Sequence, residues 1–222
     1  MTNSTNLKYW WKWTINCGIG ELIGIAAASM MALTVHQFLG EPETTQDKLL
    51  GLFIMLFAGL IEGFILGTLQ WKVLKVKFKE IPYNKWVGFT ILVAMIGWFI
   101  GTVSSLFLIQ VEEIPDEFLI EPTIYQTLLY ATGLGALLGA MFGYFQWLVF
   151  RQYALHTFKW IWANALGWAI AMAIIFYFAT LPISSTPTST ILLYGGIGGV
   201  LAGLSVGAIT GLFLNRIIKE NS

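Results

Sequence analysis

The sequence predicts an all-α polytopic membrane protein with six transmembrane helices, and three observations lead to this fold class. Of the 222 residues 57% are hydrophobic and only 11% are charged, which is more apolar surface than a soluble chain of this length can bury. Apolar runs long enough to cross a bilayer recur along the whole chain. Basic residues collect in alternate loops, and one glycine-rich segment occurs twice. We therefore expect residues 1–222 to form a single six-helix transmembrane domain.

Six apolar runs define the spans in chain order, each about 20 residues or longer. The first run follows Lys8 and Lys12 and exceeds the roughly 7–15 apolar residues of a secretory signal, so we interpret it as a retained span. Glycines spaced four apart mark the second, fourth and sixth runs, and a tryptophan opens the third and fifth. The predicted spans are residues 13–38, 49–73, 86–109, 124–149, 160–181 and 191–217.

The distribution of charge predicts the orientation. Of the 12 Lys and Arg residues, all except Lys48 lie before span one, or at or after the ends of spans two, four and six. The alternate loops are acidic, most of all the segment EEIPDEFLIEP at residues 112–122, which we expect to lie along the membrane surface or to meet a partner. Positively charged loops stay in the cytoplasm, so both termini are predicted to be cytoplasmic. The expected location is a bacterial inner membrane or another energy-transducing membrane.

An internal repeat connects the spans in pairs. The segment GLIEGFILGTLQWKVLK at residues 59–75 matches GALLGAMFGYFQWLVFR at residues 135–151 after a shift of 76 positions, which also places Trp86 on Trp162. The sixth span continues the glycine pattern at residues 199–215. Its missing partner is predicted to be span one, because the opening WKW of that span resembles WIW of span five. These matches predict three helix-hairpin repeats in a pseudo-threefold arrangement around an axis along the membrane normal.

Glycine ladders in three spans indicate close helix packing. Residues four apart share a helix face. The hydrophobic effect does not drive helices together in lipid, so helix association depends on close contact between backbones, which small residues allow. We expect spans two, four and six to form a tightly packed inner set, with a glycine-lined pore as the alternative. Two pairs, Gly20 with Gly24 and Gly97 with Gly101, indicate a lesser seam on two outer helices. The ladder consists of Gly59, Gly63, Gly67, Gly135, Gly139, Gly143, Gly199, Gly203 and Gly207.

The motif GxxxGxxQWxxL, followed by Lys or Arg and a Trp-led span, resembles that of uncharacterised multi-span bacterial membrane proteins with repeated QWLVLR-like segments. The resemblance covers residues 59–98 and 135–172. It implies a membrane fold and carries no activity with it.

Aromatic and amide side chains cluster near the cytoplasmic ends of the spans. Tryptophans at these ends of spans one to five are expected to form an interfacial belt, where indole rings are most stable. A glutamine facing lipid is costly, so Gln70 and Gln146 are expected to bond across helices, with Thr210 as a third member. Two roles remain open for these three residues, namely interhelix glue and part of a polar vestibule.

Two carboxylates lie inside the spans, where charge is costly unless it is paired, neutralised or hydrated. At about 1.5 Å per residue, Glu21 and Glu62 both lie roughly 12–14 Å from the tryptophan belt. We expect their carboxyl groups to approach within a direct or single-water bridge and to share one proton. The alternative is two separate glutamates hydrogen-bonded in helix seams, against Asn16 or an indole N–H.

Other chemistry is not expected. His36 and His156 fall on opposite sides of the membrane, and Cys17 is the single cysteine, which excludes a disulfide within the chain and a cysteine-based metal cluster. The basic segment KVLKVKFK is typical of a topology and anionic-lipid signal rather than a nucleic-acid site. We expect no enzyme activity, no metal, no cofactor and no nucleic-acid partner.

The predicted function is non-enzymatic. The chain is expected to bind or transport a small solute or ion, with the two glutamates as a proton-linked polar centre. The alternative is an accessory or scaffold subunit that packs with other membrane proteins. The lipid bilayer is the expected partner in both cases.

Overall fold

The computed structural model describes residues 3–40, 42–108, 122–183 and 185–221. Within these ranges the chain is all-helical and has no strand. The helices are α1 Asn3–Leu39, α2 Thr45–Leu74, α3 Tyr83–Val103 with a π-helical continuation at Ser104–Leu108, α4 Ile124–Phe150, α5 Lys159–Ala179 and α6 Thr188–Glu220. All six are long and apolar enough to cross a membrane.

Several helices extend beyond the predicted spans, as in α1, which begins at Asn3 rather than at residue 13, and α6, which is Thr188–Glu220 rather than 191–217. Helix α5 ends at Ala179, two residues before the predicted Leu181. The predicted end of span three, Ile109, and residues 112–121 of the acidic segment lie outside the described residues.

Capping residues set the starts of α2 and α4. The Thr44 side chain accepts a hydrogen bond from the Asp47 backbone N–H, and the Asp47 carboxylate accepts one from the Thr44 backbone N–H. Thr123 and Gln126 repeat this arrangement at α4. Each capping box satisfies N–H groups that a helix start leaves without partners.

The six helices form a closed ring in the order α6, α1, α2, α3, α4, α5, with α5 contacting α6. The seam between α3 and α4 has the sparsest contacts of the ring. At one end of the bundle the Tyr9 hydroxyl donates to the Val73 carbonyl at 3.0 Å, and the Leu155 N–H donates to Asn221 Oδ1 at 2.8 Å. Both ends of the described chain therefore lie beside loop 75–82, which holds three lysines, and loop 151–158, which begins with Arg151. We call this the basic end.

All nine ladder glycines face a partner helix within the pairs α2–α3, α4–α5 and α6–α1. A Cβ placed on Gly63 would lie 2.5 Å from the Cα of Ile91 on α3, and a Cβ on Gly203 would lie 2.6 Å from the Cys17 carbonyl oxygen on α1. Helices α2, α4 and α6 do not pack extensively against one another in the described residues. The predicted tight inner set is therefore wrong. Each glycine ladder packs against the partner helix of its own pair, and the centre of the bundle holds other side chains and a cavity.

The two glycine pairs predicted to form a lesser seam have different surroundings. A Cβ on Gly20 would lie 3.1 Å from the Cα of Leu66, so α1 and α2 are in close contact there. On α3, a Cβ at Gly97 would meet only the Leu138 side chain at 3.5 Å, and one at Gly101 would meet nothing within 4 Å. The small residues of α3 therefore leave space beside α4 instead of closing the seam.

The orientation of the bundle is open to direct labelling. In a Cys17→Ala background, Lys77→Cys and Arg151→Cys are expected to react with a membrane-impermeant maleimide from the cytoplasmic face, and Glu113→Cys from the opposite face, because lysine-rich loops stay inside. The Cys17→Ala parent serves as the unlabelled control. Reaction of Glu113→Cys from the same face as Lys77→Cys would contradict the six-span topology.

Candidate functional site

A cavity of about 240 Å³ lies inside the ring, lined by α1, α2, α3, α4 and α5. It adjoins the sparse α3–α4 seam, and Gly97 and Gly101 contribute to its wall. Apart from Glu21 and Glu62, every lining residue is apolar or glycine. The two carboxylates predicted from the sequence therefore line one apolar cavity, which we call the central cavity.

Glu21 projects from α1 and is 1% exposed. Neither of its carboxylate oxygens has a hydrogen-bond partner among the residues that the structure describes. Its stem is held against α6, where a Cβ added to Gly203 would lie 2.7 Å from both the Cβ and the Cγ of Glu21. The packing thus fixes the side chain while leaving its polar end unsatisfied, which is rare for a buried group.

Glu62 projects from α2 into the same cavity and is 6% exposed. The indole N–H of Trp98 on α3 donates to Glu62 Oε2 at 2.7 Å. Glu21 has no hydrogen-bond partner in the part of the chain that the structure describes, and the expected bridge between the two carboxyl groups stays a prediction. Asn16 is not among the lining residues, because its amide donates instead to the Lys12 carbonyl at 2.7 Å.

Aromatic rings form a wall of the central cavity. Phe142 of α4 and Trp168 of α5 stack with ring centroids 4.8 Å apart and planes inclined by 6°. Both are nearly fully buried. Met172 and Trp98 add further polarisable surface. The sequence analysis missed this wall, since only the depth of Trp168 within its span, 8 residues after Trp160, sets it apart from an interfacial tryptophan.

Two further clefts adjoin the central cavity on the side away from the basic end. One of about 390 Å³ includes His36 and Pro42 and shares Trp98 and Gly101 with the central cavity. The other, of about 240 Å³, lies among α1, α5 and α6 and shares Ile25 with it. The central cavity therefore has neighbouring space toward the end of the bundle opposite the basic end.

Three tryptophans and two glutamines close the bundle at the basic end. Trp13, Trp86 and Trp160 are 0% exposed, and the Trp160 ring centroid lies 5.7 Å from that of Trp13 and 6.2 Å from that of Trp86. The Gln146 amide donates to Gln70 Oε1 at 3.0 Å, and Gln146 Oε1 accepts from the Trp160 indole at 3.0 Å. We call these five residues the tryptophan–glutamine plug.

Thr210 belongs beside this plug, because it accepts a hydrogen bond from the Trp13 indole at 2.8 Å. The structure thus brings Gln70 and Gln146 together, as the sequence predicts, and connects Thr210 to them through the ring contact of Trp13 with Trp160. The indole N–H of Trp86 has no hydrogen-bond partner among the described residues.

The predicted interfacial belt is wrong for the three plug tryptophans. Their N–H groups lie inside the bundle, where two of them find side-chain acceptors, so burial replaces the headgroup interface. The repeat register also differs from the sequence match. The side chains of Thr90 and Asn164 donate to the carbonyls of Trp86 and Trp160, each at 2.9 Å, so Trp86 corresponds to Trp160. Trp162, the partner predicted from the sequence, is 62% exposed.

The remaining part of the repeated motif, a Trp followed four residues later by Lys or Arg, also has a physical reason. Lys75 Nζ lies 4.3 Å from the ring centroid of Trp71, and the Arg151 guanidinium lies 4.7 Å from that of Trp147. These are cation–π contacts one helical turn apart. In each copy the Gln therefore turns inward to the plug while the neighbouring Trp supports the basic loop.

Comparisons of the chain with protein-family models, with curated proteins and with solved structures find no match. What bears on function is therefore the chemistry of the central cavity itself.

Proposed function

We propose that this chain is a non-enzymatic integral membrane protein that binds a small solute or ion in the central cavity and moves it in a proton-linked manner. Glu21 and Glu62 are its polar centre. The observation that carries this proposal is Glu21, a fully buried carboxyl group with both oxygens unpartnered at the edge of an apolar cavity. A structural role explains it poorly, because leaving a buried polar group unsatisfied costs stability.

The proton link follows from the two carboxylates in one apolar space. Two negative charges in a medium of low dielectric constant repel each other strongly, and no basic residue lines the cavity to offset them. Protons neutralise the pair when nothing else is bound, and a bound cation can take their place. Exchange of protons for a cation keeps the cavity near neutrality at every stage.

The surroundings of the cavity support a path with one open and one closed side. The adjoining clefts extend toward the end away from the basic loops, and the tryptophan–glutamine plug occupies the basic end. In the proposed orientation the basic end is cytoplasmic, in a bacterial inner membrane or another energy-transducing membrane. The plug is then the part that must rearrange for release to the cytoplasm.

The three helix pairs also support the three-hairpin interpretation. In each pair a glycine ladder faces the partner helix, and the partner carries one buried tryptophan of the plug. Glu21 and Glu62 occur in two of the pairs only, so the polar centre is an addition to the repeated scaffold. A protein with three repeats and one binding site needs residues that only some of the repeats carry, and the two glutamates meet this requirement.

A thermal-shift panel tests solute binding without prior choice of ligand. Solutes of cationic, neutral and anionic classes are added to the purified protein, and a solute that binds the folded state raises Tm by mass action. At least one is expected to raise Tm of the wild type and of Gly88→Leu, an exposed position on α3 with nothing within 4 Å. The same solute is expected not to raise Tm of Gly97→Leu, because leucine at that position fills the cavity.

A panel in which no solute distinguishes the wild type from Gly97→Leu would contradict the proposal. The accessory or scaffold function would then take precedence, with the exposed helix faces packing against other membrane chains.

A further inference from the structure

The central cavity also indicates which class of solute it holds, and this inference rests on the function proposed above. We propose that its ligand is a small organic monocation, an ammonium group carrying a single aromatic ring or a hydrocarbon body of similar size. The cation takes the position beside Glu21, and its apolar body lies against the Phe142–Trp168 wall.

The sign of the charge follows from the lining. Within the described ranges, Glu21 and Glu62 are the only ionisable side chains that line the cavity, and one Glu62 oxygen already accepts from Trp98. The two oxygens of Glu21 therefore remain for the ligand. An anion would meet repulsion from the two carboxylates there, so a positive group is the complementary one.

The apolar body follows from the rest of the surface. Inorganic cations such as Ca²⁺ or Mg²⁺ require about six oxygen ligands, and the carboxylates of this cavity supply four at most. Hydrocarbon and aromatic side chains surround the glutamates on all other sides. Aromatic faces such as those of Trp98 and Trp168 attract organic cations as well as burying apolar groups.

The size follows from the volume. At about 240 Å³ the cavity lies below the roughly 300–1,000 Å³ of sites for drug-sized ligands. One ring with a short ammonium arm suits this space. The adjoining cleft that shares Trp98 and Gly101 offers a route along which such a ligand reaches Glu21.

The charge balance links binding to protons. The titratable groups around Glu21 are Glu62 on α2 and Cys17 one turn earlier on α1, while α3, α4 and α5 contribute none to the cavity lining. With one proton held between the two glutamates, a monocation neutralises the remaining charge. At lower pH both carboxyl groups are protonated and a proton must leave for each cation bound, so affinity is expected to weaken as the pH falls.

Isothermal titration calorimetry with benzyltrimethylammonium tests this class. This quaternary ion cannot lose its charge, so any change of affinity with pH reports on the protein. We expect saturable binding to the wild type, at least tenfold weaker binding of benzyl alcohol and of phenylacetate, and at least tenfold weaker binding of tetramethylammonium, which has the charge without the ring. Affinity is expected to fall at least tenfold in Glu21→Gln and in Gly97→Leu and to remain in Gly88→Leu.

The outcomes separate the two proposals. Benzyl alcohol binding as tightly as the quaternary ion, with loss in Gly97→Leu, would overturn the organic-cation inference and leave solute binding in place. Stronger binding of tetramethylammonium or potassium than of the aromatic cation would overturn the apolar-body argument alone. No binding of any of these, together with an unresponsive thermal-shift panel, would overturn both. The comparison among ligands uses the wild type, so it stands even where a variant fails to fold.

Discussion

Gly63→Ala is expected to lower the free energy of unfolding by about 2 kcal/mol or more, because its single added methyl group meets backbone rather than a movable side chain. The new Cβ would lie 2.5 Å from the Ile91 Cα and 2.9 Å from the Ile91 nitrogen. Helix α3 as a whole must shift to admit it. Unfolding by SDS titration in mixed micelles measures the change.

Gly88→Ala on α3 is the matched control. It has the same chemistry on an exposed helix face with nothing within 4 Å, so it is expected to raise the free energy of unfolding by about 0.5–1 kcal/mol, the ordinary gain of alanine over glycine in a helix. Gly139→Ala and Gly203→Ala are expected to behave like Gly63→Ala. Equal effects at Gly63 and Gly88 would show that the ladder is not a packing surface.

Glu21→Met is expected to raise the free energy of unfolding by about 1–3 kcal/mol, the usual cost of an unsatisfied buried polar group. Methionine keeps the unbranched stem that Gly203 contacts and replaces the two unpartnered oxygens with apolar atoms. A residue kept for function is expected to lower stability in this way. The same SDS titration measures it, alongside loss of ligand binding.

Glu62→Met distinguishes the two glutamates. Removing Glu62 leaves the Trp98 indole N–H without its 2.7 Å acceptor, so a new unsatisfied donor offsets the gain. We expect Glu62→Met to be less stable than Glu21→Met by about 1 kcal/mol or more. Destabilisation by Glu21→Met itself would mean that Glu21 supports the fold, and would weaken its assignment to a ligand.

The sequence predicts the six-helix class because hydropathy and length reflect the solvent around each helix, and these are local properties. The sequence says less about which helices pack against each other. The glycine ladders indicate close approach, yet a ladder does not say which helix it faces. The predicted inner set of α2, α4 and α6 is wrong for this reason, because Gly63 and the other ladder glycines of α2 face α3.

The sequence predicts the depth of the two glutamates in the membrane but not the directions in which their side chains point. Counting the helical rise places Glu21 and Glu62 at one level, but whether two side chains meet depends on helix rotation, which a span without strong polar and apolar faces leaves open. The same limit explains Asn16, which lies on α1 but donates a hydrogen bond to the Lys12 carbonyl. It also explains why the sequence match pairs Trp86 with Trp162, whereas the structure pairs Trp86 with Trp160, two residues earlier.

The most direct test of the central claim is proton-driven movement of benzyltrimethylammonium into vesicles that contain the purified protein. The vesicle interior is made acidic, and the membrane potential is held at zero with potassium and valinomycin. We expect uptake above that of protein-free vesicles for the wild type and Gly88→Leu, no such uptake for Glu21→Met although that variant folds, and no uptake by the wild type without the proton gradient. Equal uptake by the wild type and Glu21→Met, or by the wild type with and without the gradient, would contradict a proton-linked cation site at Glu21.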